Sequence, residues 1–328
     1  MPCYSPLKGY KDEETGGLKF RRDNTKETMD VACGQCIGCR LDRSRMWAMR
    51  MVHEASLHES TNGSSFVTLT YRDKKVATEE QRKNGWHIPD DWSLRKEDVQ
   101  KFLKRLRKAL PKEQKIKYYH CGEYGSVCKH GFDLTRQECP LCNLGRPHYH
   151  ICLFNCSFSD LEAYAVQNGT TRYTSPALEE TWKHGFVDVG DLTMQSAGYV
   201  ARYVLKKITG KQAEDHYQAI NPDGEVIALE PEYATMSNGL GKGWYEKYSS
   251  DVFPSDEVPV PTVGVIKKAP RYYEQMYKES DPVGWELMKA KRVNYRRENE
   301  KEYAPERLLA KYKIKKRATE TLKRGMNE

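Results

Sequence analysis

His148 and His150 stand two residues apart in the run Pro147–Phe154 (PHYHICLF), which reads as a strand. A strand alternates its side chains, so both imidazoles project from one face, with Tyr149 and Ile151 on the other. Two imidazoles on one side of a strand can share a divalent ion. Lys115–Glu123 (KIKYYHCGE) reads as another strand and ends in Cys121-Gly122-Glu123-Tyr124-Gly125, offering the Glu123 carboxylate where neighbouring strands meet. Two histidines and one carboxylate leave open positions on the ion, as Lewis-acid catalysis requires. Such a donor set suits Mn²⁺ better than Mg²⁺ by ligand preference, while cellular abundance favours Mg²⁺.

Tyr199 and Tyr203 lie four apart in AGYVARYVLKK, one turn apart on the same face of an expected helix over Ser196–Ile208. Arg202 follows Tyr199 by three residues, and Lys206 follows Tyr203 by three. A phenol with a pKa near 10 is a poor nucleophile unless activated. A nearby cation and a metal-polarised phosphate supply that activation. The chain has 21 tyrosines, most of which must be packing residues, so the pair alone is equally readable as packing.

Ten cysteines form a second chemistry. The N-terminus MPCYSPLKGYKDEE has no apolar core of the kind a secretory signal carries, so a reducing compartment, metal binding and no disulfides are expected. Cys33, Cys36 and Cys39 form a C-x2-C-x2-C run with Cys3 as the candidate fourth ligand. Cys128, His130, Cys139 and Cys142 form a second set of four. Both match zinc sites. An iron–sulfur run would continue with a cysteine where Arg43 stands. Cys121, Cys152 and Cys156, in or beside strands, read as buried packing.

The elements that must position these groups follow from periodicity. Leu41–Leu57 and Ser93–Leu110 are amphipathic helices, the second with Val99, Phe102, Leu103, Leu106 and Leu110 as its stripe. The basic remainder of that helix is either solvated or set against DNA phosphate. Ser65–Tyr71 (SFVTLTY) is a strand after an Asn62-Gly63 turn, and Phe186–Val189 is a short strand. Leu161–Gln167 and Ala177–Lys183 read as short helices, the latter closed by Gly185. Pro254–Pro270 reads as an extended linker, and helix is expected from Asp281 onward. The fold class expected is α+β: an antiparallel sheet with helices on one face, plus Cys-rich zinc-binding appendages. The organisation expected is a zinc-stapled extension over 1–45, a catalytic domain over 46–210 with a Cys/His insertion at about 126–145, an accessory region over 211–288 and a basic helical tail over 289–328.

Composition bounds the function. Of 328 residues, 38% are hydrophobic and 30% charged, with no apolar run near the roughly 18 residues of a membrane span. The net charge of +8 sits wholly in residues 289–328, where 14 Lys/Arg face 6 Asp/Glu; the other 288 residues balance at 40 and 40. A basic arm suggests a polyanionic partner, nucleic acid first.

Taken in order, FVTLTY, CGEYG, RPHYHICLF and GYVARYVLKK resemble the HUH endonuclease superfamily of rolling-circle replication initiators. The two-tyrosine motif, with CGQCIGCRLDRSRMWAMR and PRYYEQMY, resembles its microvirus, gokushovirus-type branch. The resemblance covers residues 1 to about 275 and implies an HUH-type catalytic domain. It implies Glu123, His148 and His150 as ligands of a catalytic Mn²⁺ or Mg²⁺, Tyr199 and Tyr203 as nucleophiles, and Lys206 as the basic catalytic residue that often follows the tyrosine in this superfamily. Phe66–Thr70 matches a first motif that is structural or contacts DNA. The implied activity nicks single-stranded origin DNA, forms a 5′-phosphotyrosine, frees a 3′-hydroxyl primer and rejoins unit-length circles. The implied partners are origin DNA, a host DNA polymerase and a host helicase, in the bacterial cytoplasm and without a membrane. A plasmid or transposon relaxase, or a non-catalytic zinc-containing DNA-binding regulator, are the rival classes. The sequence departs from the pattern where about 20 residues bearing CKH and CPLC separate GEYG from RPHYH.

Overall fold

The computed structural model describes residues 3–20, 26, 28–167, 170–203, 211–221 and 223–324. The chain divides into two compact units: Met1–Met46 with Phe253–Asp256 and Arg271–Glu328, and Trp47–Val252 with Glu257–Pro270.

In the first unit, strand β1 (Leu7–Lys11) pairs antiparallel with β2 (Leu18–Lys19) and with β3 (Met29–Val31). The Cys33–Cys39 run then leads into α1 (Ile37–Ser56), whose C-terminal half belongs to the second unit.

The second unit is built on β4 (Ser64–Thr70), β5 (Lys117–Tyr124), β6 (Pro147–Phe154), β7 (Glu162–Gln167), β8 (Thr170–Thr174) and β9 (Val187–Asp191). A small hairpin of β10 (Gln218–Ile220) and β11 (Val226–Ala228) precedes β12 (Tyr233–Met236). The main sheet has seven strands in the order β12-β5-β6-β4-β9-β8-β7, every pair antiparallel. Its helices are α2 (Glu79–Lys83), α3 (Lys96–Ala109), α4 (Pro176–Trp182), α5 (Met194–Tyr203), α6 (Lys211–His216) and α7 (Lys242–Val252).

Strand alternation divides the sheet into two faces of different character. Val67, Leu69, Tyr149, Ile151, Leu153, Val187 and Val189 pack against Val99, Phe102, Leu103 and Leu106 of α3 and Leu178 and Trp182 of α4. Burial of each large apolar side chain contributes about 1.5–3 kcal/mol. The other face carries Phe66, Thr68, Cys121, Glu123, His148 and His150, and meets α1 and α5. Trp47 of α1 lies 5.5 Å from the Tyr119 ring, and Ala197, Val200 and Ala201 of α5 are buried.

The α+β class expected from sequence describes this unit, but helices cover both sheet faces instead of one. Leu161–Gln167 is not a helix: residues Glu162–Gln167 form β7, paired with β8. Its Glu, Ala and Gln are good helix formers, yet Thr171–Tyr173 of the next segment supply a ladder, and tertiary pairing overrides propensity. Pro254–Pro270 is not merely extended; Glu257–Val260 (β13) and Gly264–Lys267 (β14) form a hairpin. The helix expected from Ser93 starts only after Arg95, and the Ser93 hydroxyl accepts the Glu230 amide. Gly185 does not end α4, since Lys183 takes the positive φ. The glycine is required by close approach: a Cβ there would sit 2.3 Å from the Thr70 carbonyl oxygen.

The first unit is completed by α8 (Arg271–Ser280), α9 (Pro282–Glu298) and α10 (Pro305–Arg324), helical as expected beyond Asp281. Arg292 of α9 bonds Asp256 at 2.7 Å and Glu274 at 2.6 Å, Arg296 pairs with Asp30 of β3, and Tyr312 of α10 meets Tyr4 edge-on at 6.2 Å.

Candidate functional site

The register of β5 on β6 sets Glu123 opposite His148 and Cys121 opposite His150. This register survives the Cys/His insertion because the insertion is pinched at its base. The Gly125 amide donates to Arg146 O, and the Arg146 amide to Val127 O, both at 2.9 Å. Gly145 makes that neck possible, since a Cβ on it would fall 1.9 Å from the Gly125 oxygen. Gly122 serves the opposite face, where a Cβ would come within 2.8 Å of the Tyr233 ring.

Both imidazoles converge on one carboxylate oxygen. Glu123 Oε1 lies 2.6 Å from His148 Nε2 and 3.4 Å from His150 Nε2. Glu123 and His150 are buried, and His148 is half-buried. Burial pushes the Glu123 carboxyl up, but the hydrogen bonds and charge of the two histidines outweigh it and bring the pKa down to about 2. The group is therefore a carboxylate. The distal ring nitrogens are held as well: His150 Nδ1 is 3.0 Å from Thr68 Oγ1, and His148 Nδ1 is 3.2 Å from the Arg146 carbonyl. One donor atom from each of the three residues lies within 4.8 Å of the others. Two imidazoles with their far nitrogens anchored and one ionised carboxylate fit a divalent first-row ion.

Tyr199 of α5 approaches the same place. Its ring meets His150 edge-on at 5.1 Å and Phe66 at 6.4 Å, while Phe66 stacks on His150 at 5.6 Å. The helix holds this position through buried Ala197, Val200 and Ala201 on its inner side. The backbone of Tyr203 closes α5; its side chain, and Lys206 entirely, lie outside the described residues.

Two further clusters form as the spacing suggests. Cys3 Sγ lies 3.6 Å from Cys33 Sγ and 3.9 Å from Cys36 Sγ, and Cys39 completes the group. A tetrahedron with Zn–S bonds of about 2.3 Å has S···S edges of about 3.8 Å. Amide N–H groups point at the sulfurs, from Tyr4 to Cys36 at 3.4 Å and from Cys36 to Cys33 at 3.3 Å. Burial raises the Cys36 thiol, yet the Tyr4 and Cys39 amides and the Cys39 and Cys33 side chains bring it down to about 7. In the insertion, His130 Nδ1 lies 3.3 Å from Cys139 Sγ and 3.4 Å from Cys142 Sγ, the two sulfurs are 3.7 Å apart, and Cys128 is the fourth member. Both tetrads are positioned like zinc sites. Cys121, Cys152 and Cys156 are fully buried and stand apart from both.

Residues 64–208 match the family model described as replication-associated protein ORF2/G2P. Over 297 residues the chain is 31% identical to replication-associated protein VP4 of Bdellovibrio phage phiMH2K, covering 87% of this chain and 80% of that one. The chain belongs to this family of phage replication-associated proteins. It is also 31% identical over 292 residues to replication-associated protein ORF2 of Spiroplasma virus 4, covering 84% and 80% of the two chains. Identity to replication-associated protein ORF4 of Chlamydia phage 1 is 28% over 256 residues, 76% of this chain and 54% of that one. No solved structure matches the chain. Membership in the replication-associated family implies a role in phage genome replication. Among the described residues, no helix is long and apolar enough to cross a membrane.

The sequence pattern of this family member did not single out Thr68. Its signal is present: Phe66, Thr68 and Thr70 alternate in SFVTLTY, and the register puts Thr68 opposite His150.

Proposed function

We propose that this protein is an HUH-type nicking and joining enzyme that starts rolling-circle replication of a single-stranded phage genome. The observation that supports the reading best is the approach of Tyr199 to His150, on the one sheet face that also gathers Glu123 and His148. The nickase chemistry is assigned to residues 46–210, with 126–145 as an insertion and 211–288 as an accessory region. The zinc-stapled 1–45 and the basic 289–328 flank them.

Glu123, His148 and His150 would hold Mn²⁺ or Mg²⁺, which when bound polarises a non-bridging oxygen of the scissile phosphate. The chain's own residues do the rest. Glu123 fixes both Nε2 atoms on one point, and Thr68 and the Arg146 carbonyl fix the rings from behind. The phenol oxygen of Tyr199 or Tyr203 attacks phosphorus and gives up its proton. The P–O3′ bond breaks, and the 3′-oxygen takes a proton and leaves as a hydroxyl. The product is a 5′-phosphotyrosine and a free 3′-OH, which a host polymerase extends. The second tyrosine then attacks the regenerated junction, and the 3′-hydroxyl that this second cleavage releases attacks the first phosphotyrosine, freeing that tyrosine and closing a circle. Arg202 and Lys206, each three residues after a tyrosine in the sequence, would supply positive charge to the reaction.

The test uses single-stranded phage DNA, Mn²⁺ and denaturing electrophoresis of the full chain. Tyr199→Phe and Tyr203→Phe should each still form a covalent protein–DNA adduct, and only the double variant should lose it. His150→Ala should abolish the adduct while leaving DNA binding, which rests on phosphate contacts, largely intact. An adduct formed by the double tyrosine variant at the parent rate would sink the assignment.

A further inference from the structure

The sheet face that carries the Glu123–His148–His150 group continues past it to the β7 edge, and what stands there has no part in the chemistry above. Thr70 pairs with His148, and the Thr70 amide donates to Phe186 O at 3.0 Å. Phe186 therefore shares the face, two strand spacings or about 10 Å from His148. Phe186 is 39% exposed, and Tyr164 of β7 meets it edge-on at 4.9 Å while itself 45% exposed. Scattered exposed apolar residues need no explanation, but this pair is built. The Tyr164 hydroxyl donates to Asp188 Oδ1 at 3.0 Å. Asp188, opposite Thr68 in the register, is only 6% exposed, and Arg172 grips it from Nε at 2.9 Å to Oδ1 and from the guanidinium tip at 2.5 Å to Oδ2. A buried carboxylate and a bidentate arginine thus hold one exposed aromatic ring in place.

We propose that Tyr164 and Phe186 are a stacking platform for the bases of single-stranded DNA crossing this face to or from the metal-binding group. The inference rests on the DNA-nicking reading and names where its substrate lies. A fixed aromatic pair loses little entropy on binding, and every base offers a π-face, so stacking tolerates any sequence. Arg172 cancels the Asp188 charge, which would otherwise repel the phosphates. Asp188 and Arg172 act through Tyr164 and are positioning residues.

The experiment measures fluorescence anisotropy of labelled oligothymidylate with the full chain carrying Tyr199→Phe and Tyr203→Phe, without added Mn²⁺ or Mg²⁺. Phe186→Ala and Tyr164→Ala should each weaken binding by roughly tenfold, the scale of one lost base stack. Phe186→Trp should keep the affinity, which separates lost stacking from lost folding. If both alanine variants bind as tightly as the parent, the face serves something other than DNA and the platform is rejected. A parallel arm tests adduct formation by the otherwise wild-type chain with Mn²⁺. Adduct formation with unchanged oligothymidylate affinity in the alanine variants overturns the platform alone. Weakened affinity with no adduct from the wild-type chain keeps the platform and overturns the nickase reading.

Discussion

An imidazole offers a metal one nitrogen only if the other carries the proton, so the atom behind His150 decides whether it can be a ligand. Thr68 Oγ1, 3.0 Å from Nδ1, can accept that proton's hydrogen bond and leave Nε2 facing Glu123. Thr68→Val keeps the shape and removes the acceptor. Mn²⁺ affinity, read by electron paramagnetic resonance titration, should fall by about 10- to 100-fold, with thermal stability little changed. Thr68→Ser should restore it. Equal Mn²⁺ affinity in parent and Thr68→Val would remove Thr68 from the site. The alignment of His148 with His150 was legible in the sequence because strand alternation and a two-residue spacing suffice for it, and Glu123 stood out as the carboxylate at the end of a neighbouring strand. Thr68 was not, because a threonine in a strand gains meaning only from the residue opposite it, and register is a property of the pair.

At the scale of elements, α1 is fastened to its surroundings by a buried histidine. His53 Nε2 lies 3.0 Å from the Pro259 carbonyl on β13, and its ring stacks on Trp244 of α7 at 3.5 Å. Burial lowers its pKa from 6.5 to about 4, against the smaller opposing effect of the carbonyl. The unfolded chain then binds a proton that the folded chain refuses. Stability from this group is full above pH 6.5 and is lost as the pH falls toward 4, by up to about 3 kcal/mol. Melting temperature followed over that range should drop less steeply for His53→Gln than for the parent; identical slopes would exclude this residue as a cause. The elements themselves were unevenly legible. β6 and the stripe of α3 follow directly from local periodicity. Others depend on distant partners: β12 is four residues that exist as a strand because Tyr233–Met236 lie along Gly122–Tyr119. The β13–β14 hairpin likewise hides in a stretch whose Pro and Val content reads as linker.

At the scale of the whole molecule, the two tetrads set the metal content. Protein purified without chelator should carry about two zinc atoms per chain by elemental analysis, one for each tetrad. Cys36→Ser should reduce this to about one and lower the melting temperature, since binding energy at a structural zinc site is folding energy. Iron in place of zinc would overturn the assignment. The first unit has one more property, set by the order in which the chain is made. Asp30 meets Arg296 only after a further 266 residues have been added, and Tyr4 meets Tyr312 later still. At about 5–20 residues per second, the N-terminal part waits roughly 13 to 60 s for its partners. All four of its cysteines emerge within the first 39 residues. A metal captured there would keep the growing end folded on itself and its thiols protected while the rest of the unit is still on the ribosome.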